Sequence, residues 1–279
     1  MKKTPAFLIF TVLIFWVNSL PAQSNIVFTM IVGDTAVLSV SGHNGSVQWQ
    51  KSPDSLNWID INGATNNTLT IITDTSYTGK RFFRAKVTDT LCPPYTPVYG
   101  SAIRHRIIAN AAQVQIGDWF HGGIVFYVDS TGHGLIAPTQ DQKTYCQWGC
   151  YGTAIGSATQ STTNGAANTA AIVAFHDGLP NYYGNPAQCN PGNNGTVAAK
   201  LCDTISINGY NDWFLPAKYQ LNLLYQQKNR VEGFAAYCYW SSTEYDESHA
   251  WSQGFNNGTQ YNSYKGDYDY LCVRCVRSF

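Results

Sequence analysis

Charge is scarce in this chain of 279 residues: Asp, Glu, Lys and Arg make up 12%, and 17 basic residues balance 17 acidic ones. A formal net charge of zero gives no field to steer the protein to nucleic acid, and no basic run suits an anionic membrane. Catalytic signatures are missing too. The sequence holds no Gly-x-Ser-x-Gly elbow, no His-Glu-x-x-His and no glycine-rich phosphate loop behind a strand. His176 and Asp177 are adjacent, and adjacent side chains rarely aim at one reacting atom. The expectation is a binding protein, not an enzyme, with no catalytic residue and no resident cofactor.

Long apolar runs are absent except near the start. Lys2 and Lys3 precede an apolar stretch from Phe7 to Val17, and Ser19-Leu-Pro-Ala22 follows. This is the order of a secretory leader, so residues 1–22 are expected to direct export. The run is short for a bilayer span of about 20 residues, and no stable membrane span is expected in the mature chain. No Cys follows the cleavage region, which argues against a lipid anchor.

Export decides how the eight cysteines read. In an oxidising compartment they are more often bridges than metal ligands. Cys272 and Cys275 have C-x-x-C spacing but lie in Leu271-Cys-Val-Arg-Cys-Val-Arg-Ser-Phe279, which reads as a strand. Residues three apart on a strand face opposite ways, so these two should neither bridge each other nor share a metal. Cys146 and Cys150 are spaced to close a small loop. Cys92 stands alone before residue 109 and leaves seven downstream, an odd number. It is expected either to bridge to the C-terminal domain or to stay free.

Residues 24–108 read as short strands with turn signals: Thr35-Ala-Val-Leu-Ser-Val40, Ser46-Val-Gln-Trp-Gln50, Thr68-Leu-Thr-Ile-Ile72 and Arg81-Phe-Phe-Arg-Ala-Lys-Val87. That spacing suggests an all-β sandwich. Trp49-Gln50, Ser52, Asp54, Trp58, Ile61, Gly63-Ala-Thr65, Leu69 and Ile71 resemble the pattern of bacterial immunoglobulin-like modules, which usually act as spacers. Ala85 stands where many such modules carry their second sandwich cysteine, so apolar packing around Trp49 must hold this core.

Residues 109–115 read as a linker. Beyond them Gly122-Gly-Ile-Val-Phe-Tyr-Val128 and Gly132-His-Gly-Leu-Ile-Ala137 read as partner strands. Asn168 is placed to cap a helix running to Phe175. A second helix is expected to start at Pro216, with Leu221, Leu224, Tyr225 and Lys228 along one stripe.

Several motifs then occur in order: Gly209-Tyr-Asn-Asp-Trp-Phe-Leu-Pro216, Leu221, Tyr239-Trp-Ser-Ser-Thr243, Ala250-Trp251, Phe255-Asn-Asn-Gly258 and Val273-Arg-Cys-Val-Arg277. With Ile116-Gly-Asp118 and His133-Gly-Leu-Ile-Ala137 they make residues 116–279 resemble the Lcl C-terminal domain family. The resemblance implies an α+β, C-type-lectin-like domain of the kind found on adhesins, which are implicated in binding sugars such as glycosaminoglycans. The formylglycine-generating enzymes share this fold type and use cysteine chemistry, and they are the alternative. The opposed faces of Cys272 and Cys275 argue against it.

The candidate binding face follows from the hairpin signal Asn257-Gly258, which suits a two-residue type I′ turn. That turn pairs Asn256 with Thr259, Gly254 with Tyr261, and Ser252 with Ser263. Ser252, Asn256, Thr259, Tyr261 and Ser263 then face outward, while Trp251, Gln253 and Phe255 face the core. Flanking loops add Asp246, His249, Tyr264, Asp267, Tyr268 and Asp269. Phenol rings beside hydroxyls, amides and carboxylates suit an extracellular glycan or a protein ligand. Glu244, Asp246 and Glu247 read as a solvated loop, with calcium as the minor alternative. Asp212 reads as a turn or capping residue and Trp213 as core. Between Tyr245 and Tyr270 the chain is dense in Tyr, Asp, Asn, Ser and His, all reachable from an Asn codon by replacing adenines. An ordinary polar loop has the same look; the sharper reading is a region diversified by a retroelement.

Overall fold

A computed structural model describes residues 10–14 (as backbone only), 27–89, 95–267 and 269–279. The expected leader lies outside the described residues apart from that short backbone stretch, and Cys92 and Tyr268 lie outside them as well. The chain forms two compact units, Met1–Phe120 and His121–Phe279.

The first unit is β-structure. Its strands are β1 (Phe10–Ile14), β2 (Val27–Ile31), β3 (Thr35–Val40), β4 (Ser46–Ser52), β5 (Ile59–Asp60), β6 (Thr68–Ile72), β7 (Gly79–Thr88), β8 (Pro97–Tyr99), β9 (Ile103–Ile108) and β10 (Asp118–Phe120). One sheet runs β1-β3-β6; the other contains β10-β2-β9-β7-β4-β5, with β8 added on β7. Alternation does the sorting: β3 buries Ala36, Leu38 and Val40 and leaves its other side chains half-covered. These three join Leu69 and Ile71 from β6 and residues of the second sheet in one apolar cluster. Trp49 pairs with Ala85 in register, and both are fully buried there. The small Ala85 faces the indole where a disulfide was expected to be lacking. The Trp49 indole N–H donates to the Asn66 carbonyl at 2.9 Å, so the ring is buried without an orphaned donor. Asp54 accepts from the backbone N–H groups of Leu56 and Asn57 and so closes the turn after β4. Residues 111–113 make a 3-10 turn on the expected linker.

The second unit is mixed. Its elements are β11 (Gly123–Val128), β12 (Gly134–Ala137), α1 (Gly165–Gly178), α2 (Ala198–Thr204), α3 (Lys218–Gln226), α4 (Lys228–Val231), β13 (Cys238–Glu244), β14 (His249–Gly254), β15 (Gln260–Tyr264), β16 (Leu271–Cys272) and β17 (Arg277–Ser278). β11 and β12 pair antiparallel, as expected, and β17 adds to β12. A separate sheet runs β15-β14-β13-β16. The helix caps differ from expectation. Asn164, not Asn168, caps α1 by accepting from the Ala167 N–H. Asn168 lies inside the helix, buried, donating to the Ser161 carbonyl. Pro216 precedes α3, whose capping residue Ala217 donates its N–H to the Gln220 side-chain oxygen, which also accepts from Gly165 N at the start of α1; the Lys218 N–H donates to the Thr243 hydroxyl. One glutamine thus fixes the starts of two helices. The C-terminal run expected as one strand is broken into β16 and β17, joined by single bridges from Val273 to Lys143 and Val276 to Phe214.

The cysteines resolve as Cys150–Cys189 and Cys202–Cys275 bridges, with Cys146, Cys238 and Cys272 free. The small Cys146–Cys150 loop therefore does not form; Cys150 reaches 39 residues onward instead. Cys272 and Cys275 do not bridge each other, as expected, although the single strand from which that was argued is broken between them.

The motifs that carry the family resemblance turn out to be frame. Trp213, Phe214, Leu215, Tyr239, Trp240 and Val276 are all buried. The Trp240 indole donates to the Cys146 carbonyl and Trp148 to the Ser241 carbonyl, at 2.7 and 2.8 Å. Asp212 pairs with Arg277 rather than capping a helix.

Candidate functional site

The ribbon β14–β15 is built, but with a different turn. Ser252 pairs with Tyr261, Ala250 with Ser263 and His249 with Tyr264, two residues out of the expected register. Residues 255–259 make the connection, and Asn257 is not among the residues with positive φ, so no type I′ turn forms. Phe255 is the cause. Its ring is drawn inward against Tyr239 at 4.4 Å and Phe234 at 4.6 Å, and its N–H donates to the Tyr237 carbonyl. The strand cannot continue pairing through a residue that leaves for the core.

A shift of two keeps every side chain on its side of the ribbon. What changes is which side is open. Ser252, expected outward, is 2% exposed and shares a 2.7 Å hydrogen bond with the Ser263 hydroxyl. Tyr261 remains exposed on that side, with its ring edge beside Gly254 as the sequence suggested. Asn256 and Thr259 are exposed in the connection. Trp251, expected in the core, is only half-buried.

The other side of the ribbon carries the stronger constellation. Tyr151 meets Tyr264 edge-on at 6.0 Å; Tyr264 lies against His249 at 4.4 Å; His249 neighbours Tyr245 at 6.3 Å; Tyr245 meets Trp251 at 5.4 Å. Lys218, at the start of α3, places its ammonium 3.0 Å from the centre of the Trp251 ring. His249 and Tyr264 are therefore facing strand residues, not loop residues. Asp246 fixes the imidazole: its carboxylate accepts from His249 Nδ1 at 2.8 Å and from the backbone N–H groups of Ser248 and His249. These contacts hold the Asp246 carboxyl below its usual range even though burial works against them. Past β15, burial and the neighbouring Asp269 carboxylate hold Asp267 above the usual range, and His249 is close enough to oppose that rise. Asp246, His249, Tyr264 and Asp267 thus share one neighbourhood. Tyr261 and Ser263 belong to the opposite side.

Sequence reasoning missed Tyr151, Lys218, Tyr245 and the exposed role of Trp251. His249 and Trp251 are two apart, a same-face signal that was available. The contact from Tyr151 was not, because its two rings are distant in sequence; it lies beside a buried ion pair. Glu244 and Lys265 are both fully buried, with the ammonium 2.6 Å from the carboxylate. Glu244 also accepts from Ile155 N, Gly156 N and the Thr159 hydroxyl, and Lys265 donates to the Thr153 carbonyl. Burial pushes the Lys265 ammonium below its usual range against the pull of Glu244. This clasp ties residues 153–159 to the end of β13 and to the residue after β15, next to the Tyr151–Tyr264 contact. It also corrects the reading of Glu244 as part of a solvated or calcium-binding loop, since both its oxygens are occupied. Among the described residues no group of three or more His, Cys, Asp or Glu is placed to hold a metal. His176 and Asp177 diverge: the imidazole is buried against Cys150 N, while Asp177 faces solvent and takes Lys200 and Tyr183.

Residues 23–102 match a domain of unknown function, DUF8696. No curated protein matches the chain. A fimbrial protein from Bacteroides ovatus superposes with a TM-score of 0.40 and 11% identity, over 91% of this chain and 69% of that one. A lytic polysaccharide monooxygenase from Jonesia denitrificans gives a TM-score of 0.20 and 14% identity, over 29% of this chain and 58% of that one. Both likenesses are too distant to carry a fold or a function across. Two disulfides suit an extracellular location, and among the described residues no helix is long and apolar enough to cross a membrane. Residues 137–277, just over half of the chain, match the Lcl C-terminal domain, and the chain belongs to that family.

Proposed function

We propose that this is a secreted or cell-surface binding protein of the adhesin type, exported by its leader, with an immunoglobulin-like spacer followed by a C-type-lectin-like binding domain. The observation that carries the reading is the continuous strip Tyr151–Tyr264–His249–Tyr245–Trp251 with Lys218 at its end. Tyr245 and Tyr264 are about half exposed, although aromatic area of this size is ordinarily spent on a core. Ring surfaces beside a carboxylate-anchored imidazole and an ammonium offer stacking and directional hydrogen bonds together, which suits a glycan or a polar protein surface. The ligand surface is further proposed to be diversified between Tyr245 and Tyr270; a genome without a near-identical template repeat and a neighbouring reverse transcriptase would end that part.

The enzymatic alternative of the formylglycine-generating type has less support. Cys275 is bridged to Cys202, and Cys272 is fully buried with its thiol pushed up to about 12 by that burial. A thiol so protected is a poor nucleophile. The test is a glycan array probed with the whole chain, with and without calcium, beside the Tyr264→Ala variant. Binding that the variant loses supports the strip. Ligands bound equally by both proteins overturn it.

A further inference from the structure

A second group of rings, two exposed and one half-buried, lies toward the opposite edge of the same sheet. Tyr145, Tyr237 and Tyr270 contact one another, with ring centres 6.2, 6.3 and 5.2 Å apart. Tyr237 and Tyr270 directly precede β13 and β16, whereas the strip lies on β14 and β15. The outer strands β15 and β16 are three strand spacings, or roughly 14 Å, apart, while β13 and β14 are neighbours.

Two features set these tyrosines apart from rings left over at a surface. Tyr145 and Tyr270 both have left-handed backbone, with φ of 58° and 63°. A bulky residue in that region is an outlier, and the surrounding structure must over-determine it. It does so here: Cys146 N donates to the Leu271 carbonyl at 3.1 Å, and Cys238 N to the Tyr270 carbonyl at 3.0 Å. The fold therefore accepts strain to hold two rings that it then leaves 46% and 61% exposed. The rings are also fixed in angle. Tyr270 stands nearly edge-on to both partners, at 69° and 66°, and the neighbouring Tyr237 phenol holds the Tyr145 hydroxyl above its usual range. Among the described residues no cation stacks on any of the three.

We infer that Tyr145, Tyr237 and Tyr270 form a second subsite, separate from the strip, that takes an uncharged sugar ring. The inference rests on reading the domain as a glycan binder. Phenol faces cover the C–H surfaces of a pyranose, and the hydroxyls beside them take its hydroxyls. With no cation among the described residues stacked on the rings themselves, they engage a sugar through its C–H faces and hydroxyls. An extended glycan that fills both subsites gains by effective concentration over one that fills either alone.

A competing role is plain. The three tyrosines neighbour the three free thiols in sequence, and the rings could serve only to roof them. Tyr145→Asn and Tyr270→Asn separate the two. Asn tolerates left-handed backbone, so each change relieves strain. A subsite predicts an unchanged or raised thermal midpoint together with a roughly tenfold or greater loss of affinity. A roof predicts a lowered midpoint, thiols that react in the folded protein, and unchanged affinity. The probe is a series of uncharged gluco-oligosaccharides of two to six rings, titrated calorimetrically against the whole chain. Loss with Tyr270→Asn supports the subsite whether or not Tyr264→Ala also weakens binding. Loss with Tyr264→Ala alone overturns the subsite and leaves the strip standing. Loss with Tyr270→Asn alone overturns the strip. If none of the series binds while an acidic glycan or a protein does, the subsite as stated is wrong.

Discussion

Lowering the pH toward 5 should loosen the second unit through one side chain, His176. The imidazole is fully buried on α1. Its Nε2 accepts from the Cys150 backbone N–H at 2.9 Å, so that nitrogen must carry a lone pair. Nδ1 therefore holds the proton and donates to the Ile172 carbonyl at 2.7 Å. A proton on Nε2 would set two donors against each other, and the space is tight: a Cβ on Gly149 would come within 2.5 Å of that atom. Burial, the largest influence, pushes the His176 pKa down to about 4 from an ordinary 6.5. The unfolded chain takes up the proton first, so the stabilisation is complete above about 6.5 and drains away as pH falls toward 4. At roughly 1.4 kcal/mol per unit, about 2 kcal/mol is lost between pH 7 and pH 5. His105 and His121 are also pushed down to about 4 by burial, so a falling curve alone does not single out His176. The diagnostic is a difference. His176→Gln cannot titrate, and its α1 amides, followed by hydrogen-exchange mass spectrometry, should lose about 2 kcal/mol less protection between pH 7 and pH 5 than the wild type. Parallel losses in the two proteins would refute the argument.

Three further outcomes are expected. Glu244→Ala strands a buried Lys265 ammonium and should cost about 3–5 kcal/mol in urea unfolding, far more than an exposed carboxylate; a loss under 1 kcal/mol would mean water reaches the pair. In the folded protein a thiol reagent should label Cys238, which is half-buried, ahead of Cys146 and Cys272, whose thiols burial pushes up to about 11 and about 12; peptide mapping that finds Cys272 labelled first would contradict this. Tyr264→Ala should weaken ligand binding by roughly tenfold or more while leaving the midpoint of unfolding within a degree or two, and Tyr261→Ala should weaken it less, because Tyr261 lies across the ribbon from the strip; equal losses would mean the ligand wraps the edge of β15.

Local chemistry was legible from the sequence, and distant pairing was not. Strands of period two in the first unit, the Trp49 core and the β11–β12 pair all follow from near neighbours. α1 was placed but shortened, because its alanine-rich first turns present no apolar stripe to read. The ribbon's turn failed for a different reason. Asn257-Gly258 favours a tight hairpin on its own, yet burying the Phe255 ring against three aromatic neighbours outweighs a turn preference. The cysteine pairing and the Glu244–Lys265 clasp span 21 to 73 residues and leave no local mark.

That clasp also bears on why the family motifs and the proposed binding surface are different residues. Glu244 and Lys265 bracket the ribbon in sequence, and their ion pair anchors its open end within a frame of buried motif side chains. Between the anchors, Ala250, Ser252, Gln253 and Phe255 are buried and constrained. Tyr245, Asn256, Thr259, Tyr261, Asn262 and Tyr264 are exposed, and their replacement removes little packing. A ribbon held by the ion pair at its open end and by Phe255 at its turn, and free along its face, can change its chemistry while the unit stays folded. This is the physical condition that a diversified recognition surface requires, and it places the proposed variation at exposed positions such as these rather than evenly along the segment.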